Sequence, residues 1–393
     1  MLPATNEIGM PGYRLVAGMS QPTVTLLLEV KHRARACPYC EGGRRPRSKG
    51  RYERRARHLD TYGRPTTVIV KCRRFKCWDC GKTFVQPLPG IRPRRQSTEA
   101  LRERVYRQHD DGICGSRLAT IHRFGQATVS RIYAEFTQKK AVERKSLACP
   151  VVLGIDEHSL HKKQRFATTF CDLKNHKVFD VAEGRSEAEL EPFLRQLKGR
   201  DRVRVVCIDL SSSYRGIVKK WFPRAVIVAD RFHVVRLVML HLLKLGRSLY
   251  PVLGWKRHWL NLLRTRRDRL TPEQQRQLAA VLEAHPGLAG IHQMKEKLCA
   301  LLCLKKQPRR ACQDHIRLLL AYIEELKASG MAEAQTLGKT LASWTEEIVR
   351  MWRFTRNNGI TEGFHRKMKL IQRRAYGIKS FENYRLRVIA QCG

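Results

Sequence analysis

The sequence predicts an α/β core interrupted by an all-α insertion and preceded by two small modules, and three observations predict it. Apolar, β-branched runs that end on an aspartate occur three times: VVLGID on Asp156, VRVVCID on Asp209 and AVIVAD on Asp230. Two C-x-x-C pairs stand near the N-terminus, separated by residues 41–76. Residues 234–350 carry helical periodicity almost throughout.

Length and charge set the bounds. A chain of 393 residues is long enough for two or three domains. Lys and Arg number 77 against 35 Asp and Glu, a formal charge of +42, and a surplus spread along the whole chain implies a polyanionic partner. No apolar run approaches a membrane span, and the N-terminus lacks the basic-then-apolar layout of a signal peptide. Nucleic acid therefore ranks above a membrane surface. Four of the 13 cysteines fall in the two C-x-x-C pairs and the rest are scattered through apolar segments. That usage fits a reducing, cytoplasmic compartment and a metal site.

Residues 1–23 carry little signal. VTLLLEV (24–30) reads as a strand leading to the first cysteine pair. Cys37 and Cys40 flank Pro38-Tyr39, and Cys77 and Cys80 flank Trp78-Asp79. Each pair can form a tight knuckle, and two knuckles complete a tetrahedral site for one structural Zn²⁺; two redox-inert pairs sharing a domain is the other reading. The alternating TTVIVKCRRF (66–75) suits a hairpin across the gap, with Cys72 a strand residue rather than a fifth ligand. Residues 31–60 hold 11 Lys/Arg against 3 Asp/Glu: a solvated basic loop, or a phosphate-contacting one. Residues 1–95 are thus read as a zinc-ribbon-like domain closed by the basic linker PLPGIRPRR (87–95).

Ser97 or Thr98 is a candidate N-cap for a helix over 99–109. GSRLATIHRFGQATVSRIYAEF (115–136) shows two short helical patterns broken near Gly125. In the second, Val129, Ile132 and Tyr133 face inward while Gln126, Thr128, Ser130 and Arg131 face out. Residues 96–148 are therefore expected to form a helix-turn-helix, with Thr128 and Arg131 best placed to reach base edges; a plain helical bundle would share the pattern.

From residue 149 the texture changes to strands. VVLGID is followed by RFATTFCDL (165–173) and HKVFDVAEG (176–184), an antiparallel pair joined at Lys174-Asn175. A helix over 186–198 buries Leu190, Phe193, Leu194 and Leu197, and the strand ending at Asp209, a helix over 214–221 and AVIVAD follow. The order β-β-β-α-β-α-β matches a ribonuclease H-like core. A strand buried on both faces has no structural use for an ionised carboxylate at its end, so Asp156, Asp209 and Asp230 at one sheet edge suggest a metal site.

The core is expected to occupy 149–233 and 353–393, around a helical insertion over 234–352. Within the insertion, Thr271-Pro272-Glu273-Gln274 reads as a capping box, and Ile316, Leu319, Leu320, Ile323 and Leu326 trace one apolar face. After it, Phe364, Met368 and Ile371 share one face of a helix starting near Thr361. Glu362, Arg366, Lys369 and Arg373 share another. Glu362 can complete a metal shell while the three cations hold DNA phosphates, or it is a first-turn acid favoured by the helix dipole.

The chain resembles, over essentially its full length, the transposases of the ISL-three (ISL3) family of insertion sequences. The resemblance rests on CPYC…CWDC with KTF, GIDEHSL, CIDLSSSYR, VADRFHVVRL and NNGITEGFHRKMKLIQRRAYGIKSFENYRLRV. It implies a zinc-binding domain and a helix-turn-helix ahead of a DDE catalytic domain. It assigns Asp156, Asp209 and Glu362 to the catalytic triad and its Mg²⁺ ions, and Cys37, Cys40, Cys77 and Cys80 to zinc. Asp230-Arg231-Phe232-His233 resembles the D-x-x-H element of related transposases, giving Asp230 and His233 a supporting role.

The implied reaction is in-line phosphoryl transfer with two Mg²⁺, which Mn²⁺ can replace. Water frees a 3′-hydroxyl at the element's end, and that hydroxyl attacks target DNA. The partners implied are the terminal inverted repeats, target DNA and a second copy of the chain, at least a dimer on DNA. The sequence holds no G-x-x-x-x-G-K-[ST], so no nucleotide cofactor is expected. Ser211, Ser212, Ser213 and Tyr214 read as turn and cap residues rather than covalent nucleophiles. The alternative function is a DNA-binding regulator, or a domesticated transposase, that binds ends without cutting.

Overall fold

The computed structural model describes residues 10–19, 23–31, 36–40, 44–145, 148–161, 164–354, 359–374 and 380–393. The chain divides into two compact units, Met1–Lys139 and Lys140–Gly393.

The first unit is built on a five-stranded sheet. Strands β1 (Tyr13–Met19), β2 (Val24–Val30), β3 (Arg47–Thr61) and β4 (Arg64–Lys76) lie in the order β1-β2-β4-β3, and β5 (Thr83–Val85) pairs with β4. Strand β1 falls in the stretch that carried no sequence signal. Only Tyr13 of its residues is fully buried, its hydroxyl donating to Pro89 O at 2.8 Å, so no apolar alternation marks it. The basic stretch after Cys40 is a strand from Arg47 onward: β3 pairs antiparallel with β4 across the whole gap between the cysteine pairs. Alternate β4 residues Val68, Val70 and Cys72 enter a core with Tyr13, Leu26 and Leu28, as the two-residue strand period requires. Cys72 is thereby accounted for: it is buried and donates to Val70 O.

Three helices follow: α1 (Glu99–Asp110), α2 (Gly115–Ile121) and α3 (Gln126–Lys145). Thr98 caps α1, its hydroxyl accepting from Leu101 N at 3.3 Å. Leu101, Val105, Leu118, Val129, Ile132 and Tyr133 form one small core.

The second unit carries a mixed sheet of β6 (Val152–His161), β7 (Arg165–Asp172), β8 (Lys177–Glu183), β9 (Val205–Ile208) and β10 (Val226–Ala229), in the order β10-β9-β6-β7-β8. Strand β6 runs antiparallel to β7 and parallel to β9, and β9 runs parallel to β10. Between the strands lie α4 (Glu187–Gln196), closed by a Ser186–Glu189 capping box, and α5 (Ser212–Trp221), capped by Ser211. That cap, and the burial of Tyr214 with its hydroxyl 3.0 Å from Thr168 Oγ1, account structurally for two of the four hydroxyls after β9, those of Ser211 and Tyr214.

One expectation needs correction. Asp156 does not end its strand, because β6 runs on to His161. Its pairing with β9 stops at Gly154↔Cys207 while β7 stays paired as far as His161↔Arg165. Asp156 therefore sits just past the end of the parallel half of β6.

The helical region comprises α6 (Arg231–Leu249), α7 (Arg257–Arg264), α8 (Pro272–Ala284), α9 (Pro286–Leu302), α10 (Arg309–Ala328), α11 (Ala332–Ser343) and α12 (Thr345–Arg353). Thr271 and Gln274 form the capping box of α8. On α10, Leu319, Ile323 and Leu326 are buried, but Leu320 is exposed, a correction to the five-residue apolar face. These helices share a core with the sheet: Val234, Val238, Leu298, Leu302 and Trp352 belong to the same cluster as Ile208 and Ile227. Buried Arg231 ties α6 to this region by donating to the carbonyls of Leu302, Leu304 and Met351 at 2.7–3.0 Å. The chain closes with α13 (Gly359–Arg374) and α14 (Phe381–Cys392), which bury Met368, Ile371, Tyr384 and Val388 against β7 and β8.

Candidate metal centres and DNA-contact residues

The four cysteines of the first unit converge. Their sulfurs all lie within 4.8 Å of one another, with Cys37 Sγ 3.7 Å from Cys80 Sγ and Cys40 Sγ 3.6 Å from Cys77 Sγ. Strand β4 delivers Cys77, and the β4–β5 pairing, with Phe75 stacked on Phe84, holds the second knuckle. Backbone N–H groups, that of Cys80 foremost, draw the Cys77 thiol down to about 7. An all-sulfur set without a disulfide suits Zn²⁺, which takes four thiolates tetrahedrally.

In the second unit three aspartates stand just past the paired ends of adjacent parallel strands. Counting on from Gly154↔Cys207 aligns Asp156 with Asp209 two places beyond the last pair, and counting on from Ala229↔Ile208 aligns Asp230 with Asp209; the carboxylate rung is this alignment, without ladder pairing between Asp156 and Asp209. The N–H of Asp230 donates to Ile208 O at 2.7 Å, closing that rung. The carboxylates feel one another. Burial, then the charges of Asp209 and Asp230, push Asp156 up to about 7, although the Glu157 N–H donates to its Oδ1 at 2.9 Å. Burial also raises Asp209, with Glu157 and Asp230 adding to the shift and the neighbouring His233 opposing it.

Asp209 Oδ1 is buried and meets no hydrogen-bond donor among the described residues. A buried carboxylate oxygen without a donor, beside two further carboxylates, is strongly unfavourable unless a cation neutralises the group. Hard oxygen donors of this kind fit Mg²⁺ or Mn²⁺. Among the described residues, three or more ligand atoms gather within 4.8 Å only at the cysteines, so the aspartates are spaced more widely than that.

The remaining site residues divide. Asp230 caps α6, accepting from Phe232 N at 3.3 Å, and its Oδ2 lies 3.6 Å from His233 Nε2. Glu362, in the first turn of α13, is half exposed and its ion pair is with Arg366 at 3.4 Å. The structure thus brings Asp156, Asp209, Asp230 and His233 together, while the Glu362 carboxylate turns along its own helix. Arg366, Lys369 and Arg373 are all exposed on α13. On α3 of the first unit, Arg131 is exposed and donates to Thr128 Oγ1 at 3.1 Å.

Sequence reasoning missed His365. One turn after Glu362, it places Nδ1 3.8 Å from Asp156 Oδ2 and Nε2 3.2 Å from Thr169 Oγ1. Thr169 also meets His158 Nδ1 at 3.1 Å, and His158 Nε2 meets the Tyr384 hydroxyl at 2.7 Å. Burial, with the Lys369 ammonium second, holds His365 down at about 4. His158 is buried in this chain of polar contacts. The signal for His365 was its offset of three from Glu362, which puts both on one helix face.

Comparison with known proteins shows the family. Residues 153–388 match a family model described as a transposase, the DDE transposase model of ISL3 elements. Residues 33–80 match the model of the zinc-finger of the IS204/IS1001/IS1096/IS1165 transposases. A relative, the transposase for insertion sequence element IS1001 of Bordetella parapertussis, is 27% identical over 390 residues, covering 94% of this chain and 91% of its own length. The matched region spans β6 through most of α14 and contains all three aspartates, so the chain belongs to the ISL3 family of insertion-sequence transposases.

Proposed function

We propose that the chain is the working DDE transposase of its insertion sequence. In this reading it binds the element's terminal inverted repeats and cuts and joins DNA strands by Mg²⁺-dependent in-line phosphoryl transfer. The observation that carries the proposal is the alignment of Asp156, Asp209 and Asp230 at the ends of adjacent parallel strands, where their charges act on one another and Asp209 Oδ1 lacks a donor among the described residues. The sheet order β10-β9-β6-β7-β8, with one strand pair switching from antiparallel to parallel at β6, supports a ribonuclease H-like core.

Asp156, Asp209 and Glu362 are the residues that would hold the catalytic cations. Two divalent ions supply Lewis-acid activation of the attacking oxygen and charge neutralisation at the leaving one. The chain's own residues do the rest. His365 packs its Nδ1 toward the Asp156 carboxylate from α13, and Asp230 caps the first turn of α6 beside Asp209. Arg366, Lys369 and Arg373 offer an exposed cationic stripe to backbone phosphates. To hold a cation with the aspartates, Glu362 would have to leave its ion pair with Arg366, a cation that DNA phosphates would take. Water is the first nucleophile; its attack leaves a 3′-hydroxyl on the element and a 5′-phosphate on the flank. The 3′-hydroxyl then displaces a target-strand oxygen in the same way, so no covalent protein–DNA intermediate forms.

The first unit supports a division of labour: a zinc ribbon, and α2 and α3 as a helix-turn-helix whose Thr128 and Arg131 meet base edges. Pairing two ends calls for at least two copies of the chain.

The test is cleavage of end-labelled DNA bearing the gene's own flanks, with Mg²⁺ and with EDTA. Metal-dependent nicks at the repeat boundary are expected. Binding without cutting would favour a regulator, and protein left attached to DNA after denaturation would favour a covalent recombinase.

A further inference from the structure

The first turn of α6 ends the catalytic rung and begins a groove. Beyond Asp230 and His233, the next face of the helix carries Phe232, Val235 and Leu240 along the floor of an open groove of about 840 Å³. Its far wall comes from the end of α7 and the turn after it, which supply Arg264 and Arg269; Arg236 stands on the near side. Two features make this unusual for a helix in a shared core. Phe232 is 43% and Leu240 52% exposed, so large apolar side chains meet solvent beside a charged site. Arg236, Arg264 and Arg269 are exposed, and none has a carboxylate partner among the described residues. By contrast Arg231, at the groove's end, is spent on three backbone carbonyls.

An apolar floor with a cationic rim selects its occupant. A DNA duplex offers phosphates to the rim but keeps its bases stacked away from the floor. An apolar peptide or a second copy of the chain would fill the floor but leave three cations facing an uncharged partner. An unpaired nucleotide satisfies both: its base has a π-face for Phe232 and apolar area for Val235 and Leu240, and its flanking phosphates carry the charge the arginines lack. The volume lies in the range of small-ligand sites. Phe232 contacts the His233 ring edge-on at 5.3 Å, so the groove starts one side chain from the carboxylates.

We infer that this groove holds an unpaired nucleotide of the DNA strand being processed, extruded from the stack next to the scissile phosphate. The inference rests on the proposed function for its DNA, and it gives the helical region a role in holding the end of the strand open at the site. The cost of unstacking a base is offset by stacking on Phe232 and by the phosphate contacts.

The test uses the full-length chain with two probes. The first is an end duplex with 2-aminopurine placed in turn at each nucleotide around the cleavage boundary, bound in Ca²⁺. The second is a fluorescein-labelled oligothymidylate. A several-fold rise in 2-aminopurine fluorescence at one position is expected with the wild-type chain. Phe232→Ala and Leu240→Glu should abolish the rise and weaken oligothymidylate binding about tenfold, with duplex affinity within about twofold of wild type. Phe232 and Leu240 are exposed, so both variants should fold; a circular-dichroism melt checks this. A complex that forms and cuts with no 2-aminopurine response at any position would overturn the groove but leave the proposed function standing. So would oligothymidylate binding that both variants leave intact, or a Leu240→Glu change that splits a dimer and touches neither probe. A chain that cuts nothing would refute the proposed function, and the oligothymidylate arm would still decide the groove.

Discussion

His365 Nδ1 stands 3.8 Å from Asp156 Oδ2, joining α13 to the middle of β6. Through Thr169, His158 and Tyr384 the same histidine connects to α14, so the surroundings of one carboxylate are built from two C-terminal helices. His365→Ala should lower end cleavage roughly 10- to 100-fold, the range for groups that orient metal ligands. The Mg²⁺ needed for half-maximal rate should rise, while DNA binding measured in Ca²⁺ stays near wild type. An unchanged Mg²⁺ requirement would remove His365 from the site.

The crowding of carboxylates has a stability consequence. The folded-state pKa of Asp156 is raised to about 7, above its value in an unfolded chain. Its contribution is therefore fully present below about pH 4 and is lost as pH rises through about 7, because the unfolded state releases the proton first. In EDTA, melting temperature should fall between pH 5 and 8 more steeply for wild type than for Asp156→Asn. Mg²⁺ at pH 8 should narrow the difference. Parallel pH profiles for the two chains would contradict the carboxylate cluster.

Arg231 is buried and donates to three carbonyls on two helical segments. Arg231→Met keeps the apolar stem and strands those acceptors, a loss of roughly 3 kcal/mol in urea unfolding. A change below about 0.5 kcal/mol would mean that water replaces the guanidinium.

Zinc should be present at one equivalent per chain by elemental analysis. Cys77→Ser should lose it and expose the backbone amides of β5 to rapid hydrogen exchange, since that short strand is held beside the knuckle. Retention of zinc in this variant would exclude the four-sulfur site.

The cationic stripe of α13 contacts phosphate without reading sequence, so its effect is electrostatic. Replacing Arg366, Lys369 or Arg373 by Ala should each lower the slope of log affinity against log salt by about 0.9. An unaltered slope would place the stripe away from DNA.

Much of this was legible in the sequence, for definable reasons. Buried parallel strands need continuous β-branched residues, so the runs ending at Asp156, Asp209 and Asp230 announced the strands. The cap at Thr271 was equally plain, while Thr98 was one of two candidates and Ser211 one of a run of hydroxyls. Strand β3 was hidden because an edge strand rich in Arg shows little apolar alternation. The extension of β6 past Asp156 was hidden because His158 and Ser159 are polar, although His158 is buried by partners far along the chain. Pairings over more than 190 residues, such as Thr169 with His365, leave no local pattern. The position of the Glu362 carboxylate is of the same kind: helix periodicity sets its face but not which way its side chain turns.

The most direct measurement compares wild type with Asp209→Asn in cleavage of labelled element-end DNA across a Mg²⁺ titration, with binding followed in parallel. Asp209 is the residue whose buried oxygen lacks any donor among the described residues, so it should depend most on the cation. The expected result is equal DNA binding and no nick from the variant at any Mg²⁺ concentration. Cutting by Asp209→Asn at the wild-type rate would contradict the carboxylate rung as the catalytic centre.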